Sequence, residues 1–148
     1  MAKIRLTKKF DFEMAHALHG YDGICRSVHG HSYKLDVTVI GEPIIDHTDV
    51  KLGMVIDFSD FKRIVKEHIV DVYDHSLVLS YKENIEALAN NKDLFKRVHI
   101  VKFQPTCENL IVHFSEILIK YLPASVKLHS IKLHETANSF AEWYAGDQ

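Results

Sequence analysis

The chain has 148 residues, 47% apolar and 26% charged, with a formal net charge of -2 when histidine is neutral. That length fits one ordinary domain, residues 1–148, with a substantial core. The near-neutral balance excludes nucleic-acid or membrane binding driven by bulk charge. No apolar run reaches the ~20 residues that a spanning helix needs. The opening "MAKIRLTKKF" lacks the apolar stretch of a signal peptide. Two cysteines make no disulfide framework, so a reduced, cytoplasmic setting is expected. The unusual number is eleven histidines.

Residues 4–16 place Phe10, Phe12, Met14 and His16 at period two, which predicts a half-buried strand. "HGYDGICRSV" (19–28), with two glycines and an aspartate, reads as a loop. Residues 29–41 alternate again, with His29, His31, Tyr33, Leu35, Val37 and Val39 on one face, until Gly41 and Pro43 stop the strand. The period changes over 58–72, where Phe61, Ile64, Val65, His68, Ile69 and Val72 form a helical stripe behind Asp57 or Ser59 as N-cap. "YDHSLVLS" reads as the loop that leaves this helix, and 83–90 as a short helix. "VHIVKF" (98–103) predicts a short strand. A long helix starts at Thr106 after Pro105 and ends before Pro123, burying Leu110, Ile111, Phe114, Ile117, Leu118 and Tyr121. Strands at about 126–135 and 139–145, joined by "TAN", complete the chain. This order implies an α+β fold: an antiparallel sheet of about four strands with helices on one face. Its open edges invite oligomerisation.

His29 and His31 project from one face of a strand and can converge on one ion. If the first two strands pair antiparallel, His16 arrives beside them. Three neutral imidazoles with an open fourth position describe a catalytic zinc site better than a structural one. Cys25 lies in the preceding loop, in "CRSVHGHSY". Two roles remain open for it: a fourth ligand that closes the site, or a thiol near the metal and Arg26 that acts as a base. Cys107, in the first turn of a helix, suits an inert buried thiol. Asp74 and His75 in "YDHS" are adjacent, and neighbours on a chain rarely face each other; the alternative is that they act on a Cys25 from another copy. Glu135, at a strand end, could accept paired N–H donors from a flat heterocycle. Glu108 has a simpler explanation as an acid at a helix N-terminus.

Taken together, "FEMAHAL", "CRSVHGHSY", "VIDFSDFK", "YDHSLVL", "PTCENL" and "HETA" resemble, in order, the 6-pyruvoyltetrahydropterin synthase / 6-carboxytetrahydropterin synthase family. The resemblance implies the tunnelling fold (T-fold), with trimers closing into a barrel, two trimers stacking as a homo-hexamer, and active sites between subunits. It implies that His16, His29 and His31 hold Zn2+, that Cys25 is the general base, and that Asp74 and His75 complete a proton relay. It places Glu135 on the pterin, with Thr106 and Glu108 lining the same pocket. The three residues between Cys25 and His29 resemble the bacterial 6-carboxytetrahydropterin synthases of the queuosine pathway. The implied reaction converts 7,8-dihydroneopterin triphosphate to 6-carboxy-5,6,7,8-tetrahydropterin, acetaldehyde and triphosphate, with no redox cofactor. Alternatives are the sister 6-pyruvoyl reaction and a non-catalytic zinc-binding protein. Lys8, Lys9, Arg26 and Lys34 are the cations considered for the triphosphate.

Overall fold

The computed structural model describes residues 2–148. Strands β1 (Ile4–His16) and β2 (His29–Gly41) form a long antiparallel pair with His16 opposite His29 and Met14 opposite His31. Helix α1 (Phe58–Val65) follows, capped by Asp57, whose carboxylate accepts from Ser59 N at 2.7 Å. It runs through a π turn (Lys66–Val70) into the short α2 (Asp71–Tyr73). Then come β3 (Ser76–Ser80), α3 (Glu86–Ala89), β4 (Val98–Val101), α4 (Cys107–Tyr121), β5 (Val126–His134) and β6 (Phe140–Tyr144). Among the described residues no helix is long and apolar enough to cross a membrane.

The sheet has six strands in the order β4-β3-β1-β2-β5-β6, and it is mixed. β1–β2, β2–β5 and β5–β6 are antiparallel, whereas β1–β3 and β3–β4 are parallel. Two expectations are corrected. The sheet exceeds four antiparallel strands, and "SLVLS" is a strand rather than a loop. β3 is buried at every residue. Val78 faces the main core, while Leu77 and Leu79 face a smaller cluster with Ala17, Leu88 and Phe95. A strand buried on both faces shows an unbroken apolar run, so alternation could not reveal it.

The main core lies between the sheet and helices α1 and α4. Phe12, Tyr33, Leu35, Val37 and Val39 meet Phe61, Val65, Ile69, Leu110, Phe114 and Leu118. Phe12 stacks on Tyr33 at 5.3 Å between centroids and meets Phe114 edge-on at 6.2 Å. The π turn adds a residue to its loop of the helix and moves the buried stripe. Val70 and Tyr73 therefore take the core positions expected of His68 and Val72. Phe114→Ala is expected to lower unfolding free energy by ~3–5 kcal/mol, since Phe114 is wholly buried and its cavity cannot collapse freely. Denaturant titration measures this directly.

Candidate metal centre and active site

The β1–β2 register brings three imidazoles together. Ring centroids of His16, His29 and His31 lie 4.6 to 5.2 Å apart, and one ligand atom from each lies within 4.8 Å of the others. The backbone fixes two tautomers. His16 Nδ1–H donates to Pro105 O at 2.7 Å, and His29 Nδ1–H donates to Ser27 O at 2.8 Å. Their Nε2 atoms are thereby left as acceptors, yet they face each other at 3.1 Å. Two lone pairs at that distance repel unless a cation or proton lies between them. His31 Nε2 is buried without a hydrogen-bond partner, 3.7 Å from Glu135 Oε1. These three nitrogens can hold a metal ion. Burial is the main cause holding His16 and His31 below the usual imidazole pKa, which favours the neutral, ligating form. Tyr33 meets His31 and His16 edge-on, at 5.6 and 6.3 Å, and closes the core side of the cluster.

His16, Cys25, Thr106, Glu108 and Glu135 line one cavity of about 300 Å³. Among the described residues the clustered ligand atoms come from the three histidines, and Cys25 does not join them. Cys25 is partly exposed, whereas Cys107 is buried and its Sγ–H points to Leu133 O at 3.3 Å. Burial pushes the Cys107 thiol up to about 11. Thr106 caps α4, its hydroxyl accepting from Asn109 N at 3.3 Å. Glu108 is exposed in the first turn of α4, where the helix dipole favours it. Glu135 opens the β5–β6 hairpin, with its N–H on Ser139 O at 3.0 Å.

Asp74 and His75 do not line the cavity that holds Cys25. His75 lines a larger cavity of about 580 Å³ with His31, Glu13 and Arg97, and Cys25 does not reach it. Within the pair, the expectation that neighbours do not face each other is corrected. His75 has φ 59, a left-handed conformation that turns its ring back until Nδ1 lies 3.0 Å from Asp74 Oδ2. Asp74 Oδ1 also accepts from Glu13 N at 2.8 Å. That backbone N–H is the main cause of a lowered Asp74 pKa, and His75 adds to it. Arg97, absent from the sequence reading, braces the turn by donating to Asp71 O, Val72 O and Asp74 O at 2.8, 3.0 and 3.1 Å. The carbonyls of Pro105 and Ser27 were equally invisible, because no residue type marks a backbone acceptor. Of the cations considered for the triphosphate, Lys9 is paired with Asp36 at 2.7 Å and Arg26 with Glu83 at 3.0 Å.

The sequence model of the family described as 6-pyruvoyl tetrahydropterin synthase matches residues 5–145. The chain belongs to this family. A 6-carboxy-5,6,7,8-tetrahydropterin synthase of Haemophilus influenzae is 37% identical over 143 residues, covering 94% of this chain and 97% of that protein. A protein of the same name from Rickettsia typhi is 33% identical over 141 residues, covering 94% and 99%. The solved 6-pyruvoyl tetrahydropterin synthase of Plasmodium vivax superposes with a TM-score of 0.73 at 18% identity, covering 97% of this chain and 98% of that one. This member of the 6-pyruvoyl tetrahydropterin synthase family thus has the α+β T-fold.

Proposed function

We propose that the protein is a zinc-dependent lyase that converts 7,8-dihydroneopterin triphosphate and one water to 6-carboxy-5,6,7,8-tetrahydropterin, acetaldehyde and triphosphate. The observation that carries this reading is the convergence of three imidazoles beside a cavity shared by Cys25 and Glu135. The names of the Haemophilus and Rickettsia relatives support the choice of product.

His16, His29 and His31 would hold the zinc ion, which would supply Lewis acidity. The residues of the chain do the remaining work. Glu135 accepts paired N–H donors from the pterin edge and sets its orientation. Thr106 and Glu108 line the floor of the same cavity. Cys25 takes a proton from a carbon of the substrate side chain. His75, held by Asp74, returns protons as triphosphate and acetaldehyde leave.

Cys25 and His75 open into different cavities of one chain. A second copy can supply the missing half. β1 meets β3 only over Met14–His16, which leaves its edge from Ile4 to Glu13 without a strand neighbour among the described residues. Among the described residues the outer edge of β6 also has no strand neighbour. Such edges favour pairing between copies, in line with a homo-hexamer built as a dimer of trimers.

The test is incubation of metal-replete protein with 7,8-dihydroneopterin triphosphate, reading pterin products and acetaldehyde together. Matched release of 6-carboxytetrahydropterin and acetaldehyde sustains the proposal. A 6-pyruvoyl product without acetaldehyde moves the protein to the sister reaction, and an untouched substrate removes the enzymatic reading.

A further inference from the structure

The loop that carries Cys25 has little apolar anchorage. Its 3-10 turn, Ile24–Arg26, contains no buried residue, and Ile24 is 92% exposed. Local bonds give it shape, including Leu18 N–H to Cys25 O at 3.0 Å. They do not fix it to the rest of the fold. Two polar ties do. His19 N–H donates to Gln104 Oε1, and Gln104 Nε2 donates back to His19 O, both at 2.9 Å. Glu83, in the turn after β3, accepts two bonds from Arg26: Nη1 to Oε1 at 3.0 Å and Nη2 to Oε2 at 3.3 Å. His19 Nδ1 lies 3.1 Å from the same Oε1, without the alignment of a hydrogen bond.

We propose that Glu83 is a positioning residue for Cys25, acting through the guanidinium of Arg26. The Glu83 side chain is only 13% exposed, against 46% for Arg26, so the carboxylate is the fixed partner and Arg26 the strut. A two-pronged pair sets direction as well as distance. It spans from the residue beside Cys25 to a turn that follows the fully buried β3. Glu83 thus ties a solvated loop to the most deeply packed strand. This role removes Arg26 from the cations available to a triphosphate. It rests on the reading of Cys25 as the base.

The test uses full-length, zinc-loaded protein with Glu83→Gln, Arg26→Gln and both together. Turnover gives kcat and KM. Iodoacetamide labelling, resolved by peptide mass, gives the reaction rate of Cys25 apart from Cys107. Each single change is expected to lower kcat by up to ~100-fold, the scale of a misplaced reacting group, with KM little changed. Labelling of Cys25 should quicken several-fold as the loop is released. The double variant should be no worse than either single, because one pair is broken in all three. Where Glu83→Gln does not fold, Arg26→Gln applies the same test from the more exposed side. Unchanged kcat and labelling in Glu83→Gln overturn the proposal. So does a raised KM confined to Arg26→Gln, which would make that side chain a phosphate ligand. Altered labelling with unchanged kcat leaves the tether standing and removes Cys25 as the base.

Discussion

Replacing Cys25 by alanine is expected to lower kcat by about 10²–10⁴-fold while the protein keeps its metal. The first half follows from chemistry: a positioned base acts in the transition state, and its loss appears in kcat. The second half follows from geometry. The clustered ligand atoms come from His16, His29 and His31, and Cys25 sits in the adjoining cavity instead. Zinc content per chain, measured by atomic emission, separates this from a four-ligand structural site, in which the variant would emerge metal-poor. Cys107 does not substitute, since burial holds its thiol protonated.

Removing one imidazole should have the opposite signature. His29→Ala is expected to lose zinc and turnover together. The loss of affinity should exceed the ~10–100-fold cost of deleting a mere hydrogen-bond partner of a ligand. His29 suits this test because it is only half-buried, whereas removing the buried His16 would also open a hole in the core. Wild-type protein should gain ~2.7 kcal/mol of stability at a zinc concentration 100 times the Kd. The His29→Ala melting temperature should not respond to zinc at that concentration. An equal zinc-induced rise in both proteins would place the metal elsewhere.

The histidine cluster was legible in the sequence because period-two alternation does not depend on distant contacts. Once β1 and β2 pair antiparallel, the register that buries Phe12 and Tyr33 also sets His16 opposite His29. The T-fold followed from the ordered blocks of motif, and the 135–139 hairpin from its turn residues. What escaped was set by the tertiary structure. β3 lost its alternation because both its faces are buried. The π turn moved a helical stripe that an ideal period places on His68 and Val72. The Asp74–His75 contact needs a left-handed histidine, which neither residue type announces. The Glu83–Arg26 tie joins residues 57 positions apart, with no shared motif.

The separation of Cys25 from His75 within one chain leads to a direct test of the shared site. Cys25→Ala and His75→Ala proteins, each nearly inactive alone, are unfolded together, refolded as a mixture with zinc, and assayed with 7,8-dihydroneopterin triphosphate. A site that takes its metal and thiol from one copy and its Asp74–His75 pair from another predicts recovered turnover in the mixture, because some interfaces then join two intact halves. A mixture no more active than its parents, although mass measurement shows mixed oligomers, would contradict that account and place the whole relay within a single chain.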